Sequence, residues 1–313
     1  MLKQEIEDGQ ASLADPQFRA DVLGGLALRP RAIPARWFYD RRGSELFEAI
    51  TALPEYYPTR TEVGILERIG GELGERIGPG RAVVEFGSGS STKTPLLLGA
   101  IDPAAYLPVD ISGDFLRESA GKLAADFPGL AVHPVEADFT RPLTLPASLD
   151  GVPRLGFFPG STIGNMLAAR AVELLRGFRE TLGEGALLLI GIDRIKPLDV
   201  LIPAYDDAAG VTAAFNLNLL RRINRELGGT IPVDAFAHRA VWNDARARIE
   251  MHLEAQQDVT FEVDGRPFAI AAGETIHTEN SHKYGPRDAR LLLRAGGWTP
   301  VGEWTDAQDW FAP

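Results

Sequence analysis

The strongest constraint in this chain is a short β-rich run that breaks into glycine. Val83-Val84-Glu85-Phe86-Gly87-Ser88-Gly89-Ser90 reads as a strand entering a tight turn. Without Cβ atoms the backbone can pass close to a ligand, and α/β folds bind ligands at the carboxyl edge of the sheet, where such turns lie. Asp110 follows 21 residues after Gly89, at the end of the next run, Tyr106 to Asp110. A carboxylate there can accept both hydroxyls of a ribose. Asp138 and Phe139 end a third run within Leu130 to Phe139. There a carboxylate can take an adenine amino group while the ring packs on the base. Taken singly, Asp110 and Asp138 are ordinary turn or cap residues. At consecutive strand ends beside the turn, a nucleoside accounts for them better.

Two ligands fit this layout. A dinucleotide wants its pyrophosphate on a helix N-terminus and a third small residue for helix packing. That position holds Thr92, and Glu85 would face the diphosphate unfavourably. S-adenosylmethionine carries an ammonium on its methionine end, which suits an acidic strand end beside the turn.

Leu155 to Phe158 and Ala186 to Ile192 supply further strands, with helical patterns at Asp114 to Ala125, capped by Ser112, and at Leu167 to Leu182. Strand alternating with helix predicts a doubly wound, mostly parallel α/β sheet. After Asp193 the pattern changes. Val211, Phe215, Leu219, Ile223 and Leu227 form one stripe of a long helix that Gly228-Gly229 ends. Ile249, Met251 and Leu253 alternate with polar residues, as do Val259, Phe261 and Val263 before Asp264-Gly265, which predicts antiparallel strands and a hairpin. The tail reads as a helix, a Gly296-Gly297 turn and a strand over Trp298 to Trp304; Asp206-Asp207 reads as a solvated helix start. The expected organisation is a core of 61–196 plus 285–313 and a second, α+β substrate-binding lobe of 1–60 plus 197–284.

Charge and composition narrow the partners. With 32 basic against 43 acidic residues, a net −11, neither nucleic acid nor an anionic membrane is expected. The absence of cysteine removes thiol nucleophiles, disulfides and cysteine-type metal sites. Met1 to Gln10 is polar, so no signal peptide is expected, and the apolar runs are too short for a membrane span. These readings point to a cytoplasmic enzyme. Spacing of His277 and His282 about Glu279 fits no zinc pattern, and solvated residues are expected there.

Longer blocks carry a resemblance. Arg36-Trp37-Phe38-Tyr39-Asp40, Gly43 to Phe47 and Leu53 to Glu62 are similar to the N-terminal signature of the L-histidine Nα-methyltransferases of ergothioneine biosynthesis. So are Glu85 to Thr94, Phe158 to Asn165, Ala204 to Asn216 and Thr278 to Tyr284. The resemblance covers nearly the whole chain. It implies a class I methyltransferase fold, Rossmann-like, with an added substrate lobe, converting histidine to its trimethylated betaine, hercynine, with S-adenosylmethionine as co-substrate and no metal. The matching cofactor positions are Tyr56, Gly87, Lys93, Asp110, Asp138 and Phe139, with Lys93 toward the cofactor's carboxylate. The matching substrate positions are Tyr39, Gly160, Asn165, Tyr205, Met251, Glu279 and Ser281. Asn165 and Tyr205 would hold the substrate carboxylate, Glu279 and Ser281 the imidazole. Tyr39, the catalytic candidate, would face the amine or the imidazole.

Several of these positions have ordinary readings. Tyr39 and Tyr56 fit an aromatic core, Asn165 fits a helix cap, Met251 fits a strand interior and Tyr205 a surface helix. Glu279 and Ser281, two apart on an extended chain, point the same way and can read two ring nitrogens. That argues against a rival methyltransferase of another aromatic amino acid, since an indole gains nothing from a buried carboxylate. A nicotinamide oxidoreductase and a non-catalytic nucleoside-binding module are the other rivals. Thr92 and the lack of a basic catalytic dyad disfavour the first. The matched substrate positions disfavour the second. A monomer is the expected state.

Overall fold

The structure, a computed structural model, describes residues 15–89 and 92–313. Met1 to Gln10, read as lacking a leader, and Ser90-Ser91 of the glycine turn lie outside the described residues.

Ala82–Phe86 is buried at every position, as a strand covered on both faces must be. Parallel neighbours flank it: Ala105–Asp110 on one side and Arg154–Phe158 on the other, with Leu187–Ile190 beyond. The third run divides into Ala131–Val132 and Val135–Glu136, which pair with the two ends of Ala105–Asp110. The gap falls opposite Pro108, with Pro134 in the facing segment, and neither proline has an N–H to donate. Asp138 and Phe139 therefore follow the third strand instead of ending it. The chain leaves Ala82–Phe86 toward one edge and returns on its other side. That reversal opens a crevice at the carboxyl ends of the strands.

Alternation sorts the strand side chains between two apolar layers. Val83, Tyr106, Leu155 and Phe157 pack with Ile65, Leu66 and Ile69 of helix Tyr57–Ile77 and with Leu97 and Leu98 of Thr94–Ile101. Val84, Phe86, Leu107 and Phe158 pack with Leu174, Leu175 and Phe178 of Ala168–Leu182. This is the mostly parallel, helix-covered sheet expected of a class I methyltransferase. Helix Gly113–Asp126 begins after Ser112, but the Ser112 side chain makes no capping bond.

A third apolar cluster joins Phe18, Phe38 and Tyr57 to Phe215, Leu219, Met251 and Ile276. It lies over a four-stranded sheet in the order Arg31–Ala32, Thr275–His282, Arg248–Ala255, Phe236–Asn243. Ile249, Met251 and Leu253 are buried on its inner face, and the stripe on Val211–Leu227 packs there until Gly228 ends the helix at φ 58°. Val259–Val263 and Arg266–Ile270 form the expected hairpin around Asp264-Gly265.

Two local readings change. Trp298 to Trp304 forms no strand. Pro300 cannot donate to a ladder, and the two indoles instead bond outward, Trp298 to the Leu175 carbonyl and Trp304 to Glu72, each at 2.9 Å. The pairing partner of Ile192–Asp193 is Phe311–Ala312. Asp207 is buried, not solvated: its carboxylate accepts the Val211 and Thr212 N–H groups at 2.9 and 2.7 Å and so fixes the start of the following helix. Among the described residues no helix is long and apolar enough to cross a membrane.

Candidate active site

The crevice at the glycine turn is built from groups that the protein already holds. Gly87 has φ 75°, and a Cβ there would lie 3.2 Å from the Phe139 ring. Glycine is needed both for the turn and for the ring's close approach. Asp110 accepts the Gly89 N–H at 3.2 Å and the Ser112 N–H at 2.9 Å, which aims its carboxylate along the turn. Asp138 accepts Thr140 N–H at 2.9 Å and Arg36 Nη1 at 3.2 Å. Arg36 also bonds Asp21 at 2.5 Å, so it ties the first helix to the crevice. These residues fit a nucleoside: two fixed acceptors, a ring for the base and a backbone stripped of Cβ.

Two charges beside the glycine turn have protein partners that the sequence does not announce. Lys93 is ion-paired with Glu62, a fully buried carboxylate that also accepts Gly160 N–H at 2.8 Å. Glu85 is 1% exposed, and its Oε2 accepts the hydroxyls of Thr94 (2.7 Å) and Tyr106 (2.6 Å). Burial pushes its carboxyl up to about 7 despite those two donors.

The predicted substrate residues come together. Tyr39, Gly160, Asn165, Tyr205, Met251, Glu279 and Ser281 line one cavity of about 70 Å³. Tyr56, assigned to the cofactor, lines it as well, with Phe47 and Phe215 closing the apolar side. The bulge between Met251 and His252 keeps Met251 opposite Glu279, and Ile249 pairs with Ser281. Tyr39 packs edge-on to Phe47 and Phe215 with centroids 5.7 and 5.8 Å apart, so it serves the aromatic cluster and the cavity together. Asn165 does not cap the next helix, which starts after Leu167 with no side-chain cap. Tyr205 is buried, not a surface residue.

Among the described residues the side chains of Tyr39, Tyr56, Asn165 and Glu279 have no hydrogen-bond partner in the protein, although all four line this one cavity. All four are half-buried and face the cavity, so a polar ligand entering it meets four groups that no other described side chain engages. Burial pushes Glu279 up to about 7, with Lys283 acting against it. Burial, then the neighbouring carboxyls and phenols, holds Tyr39 and Tyr56 well above their ordinary range, so both stay protonated.

Behind the cavity lies a charged network that the sequence reading missed. Asp193, Lys196 and Lys283 are buried. Lys283 Nζ donates to Asp193 Oδ2 (2.6 Å), Tyr205 (2.7 Å) and Ser281 (2.8 Å). Lys196 bonds Asp193 Oδ1, Tyr57 and the Arg194 carbonyl. Tyr57 donates to Asp193 Oδ2 at 2.7 Å, and Ser161 Oγ accepts Asp193 N–H at 2.8 Å. Burial would raise the Asp193 carboxyl, but the two lysines outweigh it and hold it below the usual range; burial takes Lys196 down to about 8. Asp193 follows the apolar run Ala186 to Ile192, the same strand-end signal that marked Asp110.

His277 and His282 are half-buried, not solvated. They bond the Glu279 carbonyl (2.9 Å) and the Gly164 carbonyl (2.7 Å). Glu250, His252 and His277 cluster on the outer face of the lobe sheet. The two rings stack at 4.9 Å, so their in-plane lone pairs run parallel instead of converging, and Glu250 is engaged by Arg248 and Asn243. A larger cavity, about 560 Å³, lies along the Leu187–Ile190 edge between Trp298 and Trp304, and no predicted site residue lines it.

A family model described as histidine-specific, S-adenosylmethionine-dependent methyltransferase matches residues 18–313. The histidine N-alpha-methyltransferase of Mycolicibacterium smegmatis is 41% identical over 306 residues, covering 95% of this chain and 93% of that relative. The enzyme of the same name from Mycobacterium tuberculosis is 40% identical over 92% of this chain and 91% of its own. Ergothioneine biosynthesis protein 1 of Neurospora crassa is 30% identical over 88% of this chain, which spans 32% of that longer relative.

Proposed function

This chain belongs to the histidine-specific, S-adenosylmethionine-dependent methyltransferase family, and we propose that it methylates the α-amino nitrogen of L-histidine three times to give hercynine for ergothioneine biosynthesis. It is an S-adenosylmethionine-dependent amino-acid N-methyltransferase. The observation that carries the substrate reading is the set of unpartnered groups in one cavity: Tyr39, Tyr56, Asn165 and Glu279.

In this reading Gly87, Asp110, Asp138 and Phe139 hold the nucleoside of S-adenosylmethionine, which when bound supplies an electrophilic methyl on a sulfonium. Lys93 is assigned to the methionine end; because Glu62 already balances it, that contact is weaker than a free lysine would make. Asn165 and Tyr205 take the histidine carboxylate, and Glu279 and Ser281 the ring. The amine must arrive neutral with its lone pair directed, so positioning is the main contribution of the protein. Tyr39 and Tyr56 stay protonated and act as hydrogen-bond partners to the amine, not as bases. Their faces and that of Phe47 tolerate the quaternary cation that the third transfer creates.

A division into a core of 61–196 plus 285–313 and a lobe of 1–60 plus 197–284 is supported by the separate apolar clusters. The proposed setting is a cytoplasmic monomer acting on free histidine without a metal, nucleic acid or membrane. Mass spectrometry of a reaction holding S-adenosylmethionine and a pool of the common amino acids tests the reading. Histidine should be consumed first, through mono- and dimethyl species, to the trimethyl product. A time course that halts at one methyl with cofactor in excess, or that consumes another aromatic amino acid first, overturns it.

A further inference from the structure

The Tyr205–Ser281 pair cannot give hydrogens to two ligands at once. The two oxygens are 2.7 Å apart and share a hydrogen bond. Each hydroxyl owns one hydrogen, so the pair has one left for the cavity. Lys283 donates to both oxygens and to Asp193, which engages all three of its N–H groups, and an ammonium accepts nothing. The free hydrogen therefore goes either to the substrate carboxylate through Tyr205 or to the ring through Ser281.

Charge decides between them. A hydrogen bond to an ionised acceptor is about twice as strong as a neutral one. Tyr205 then donates to the carboxylate and Ser281 donates to Tyr205. Ser281 keeps one lone pair toward the cavity, and the ring nitrogen beside it must carry an N–H. The other nitrogen of a neutral imidazole is a lone pair, and it would face the Glu279 carboxylate. Two acceptors cannot meet without a proton between them.

We propose that Lys283, as a positioning residue, holds the two hydroxyls paired, so that the cavity binds the imidazole together with one extra proton shared with Glu279. The inference rests on the histidine reading above. The groups facing Glu279 agree with it. Tyr39, Tyr56 and Tyr205 come from three other elements, all held neutral by burial. Lys283 is the neighbouring cation, and Glu279 titrates at about 7, so the proton is accessible.

The probe is the trimethylated betaine of histidine, bound in the presence of S-adenosylhomocysteine. Its α-nitrogen has no proton, so proton counting reports the ring alone. Calorimetry at pH 8 in buffers of different ionisation enthalpy should show an uptake of about one proton, with Kd rising about tenfold per pH unit above the Glu279 titration. Glu279→Gln presents an amide N–H permanently, and its binding should be flat with pH and without uptake. Lys283→Met unpins the two hydroxyls, and the uptake should fall toward zero. Should that variant not fold, Tyr205→Phe frees the Ser281 hydrogen for the ring and should have the same effect on the count. Binding without uptake in the wild type overturns this inference and leaves the histidine reading standing. An uptake that survives in folded Lys283→Met overturns the role of Lys283, and one that survives in Tyr205→Phe overturns the hydroxyl pairing on which it rests. If the betaine does not bind at all, the histidine reading falls and takes this inference with it.

Discussion

Glu85, under the glycine turn, and Glu279, in the substrate cavity, are both pushed up to about 7 by burial, and they live in opposite surroundings. Glu85 receives two hydroxyl donors and is closed off within the sheet. Glu279 receives none from the described residues and opens into a cavity. The same contrast separates the two regions. In the crevice at the glycine turn Asp110, Asp138 and Lys93 already have protein partners that hold them in place. In the cavity the side chains of Tyr39, Tyr56, Asn165 and Glu279 have none among the described residues. The lesson is that a shifted carboxyl does not say what it is for; the donors around it do.

Removing each side chain should break the likeness at once. Glu85→Ala strands the Thr94 and Tyr106 hydroxyls in the core and should cost about 3 kcal/mol of stability. Urea unfolding measures it, and a loss below the error of the method would make Glu85 a ligand group instead. Below pH 4.5, where the carboxyl is protonated folded or unfolded, Glu279→Ala strands no donor and should leave the urea midpoint almost unmoved. Its effect should fall on catalysis: kcat/KM for histidine should drop by about 2 kcal/mol or more, while S-adenosylhomocysteine binds as before. A histidine preference that survives this change would mean the ring is read elsewhere.

Asp110→Ala tests the other side of the comparison. Losing a carboxylate held toward the ribose should weaken S-adenosylhomocysteine by about 1–3 kcal/mol in calorimetry, and NAD should not bind either protein. Unchanged affinity would remove the ribose role.

The last effect is on stability against pH, discounted because the Glu279 carboxyl is partly open to solvent. Glu279 titrates at about 7 in the folded protein and at the ordinary 4.5 when unfolded. Folding therefore takes up a proton between those values, and the stability present below 4.5 is lost as pH rises through 7. Glu279→Gln escapes that loss. Its melting temperature should exceed the wild type's at pH 8 and match it near pH 4.5, by differential scanning fluorimetry. Equal melting temperatures at pH 8 would mean that the carboxyl is well hydrated.

The legible part of the site was the part written in backbone and in pattern. Gly87 and Gly89 announce a turn, and Asp110 and Asp138 stand at strand ends. Glu279 and Ser281 share a strand face by simple alternation. Tyr39 and Met251 were read two ways, as core or as pocket, and the fold makes them both. Glu62 and Lys283 stand inside the matched blocks without a role of their own, and Asp193 and Lys196 carry none either. A charged residue in sequence looks solvated until its partner is known, and these partners come from distant segments: Asp193 and Lys283 are 90 residues apart, Lys93 and Glu62 31. The divided third strand was missed for a similar reason, since two prolines matter only once they face each other.

The pairing of Arg31–Ala32 with Thr275–His282 also has a consequence in time. Arg31 bonds Glu274 across 243 residues. At about 5–20 residues per second, the ribosome needs roughly 10–50 s to supply the second partner after the first has emerged. Meanwhile the contiguous stretch from Tyr57 to Ile190 can complete its parallel sheet. Phe18, Val22 and Leu26 must wait with their apolar face uncovered until the last strand of their own sheet arrives. Nascent chains arrested before residue 275 should therefore protect the central sheet from protease and leave the first helix open to cleavage and to holdase capture.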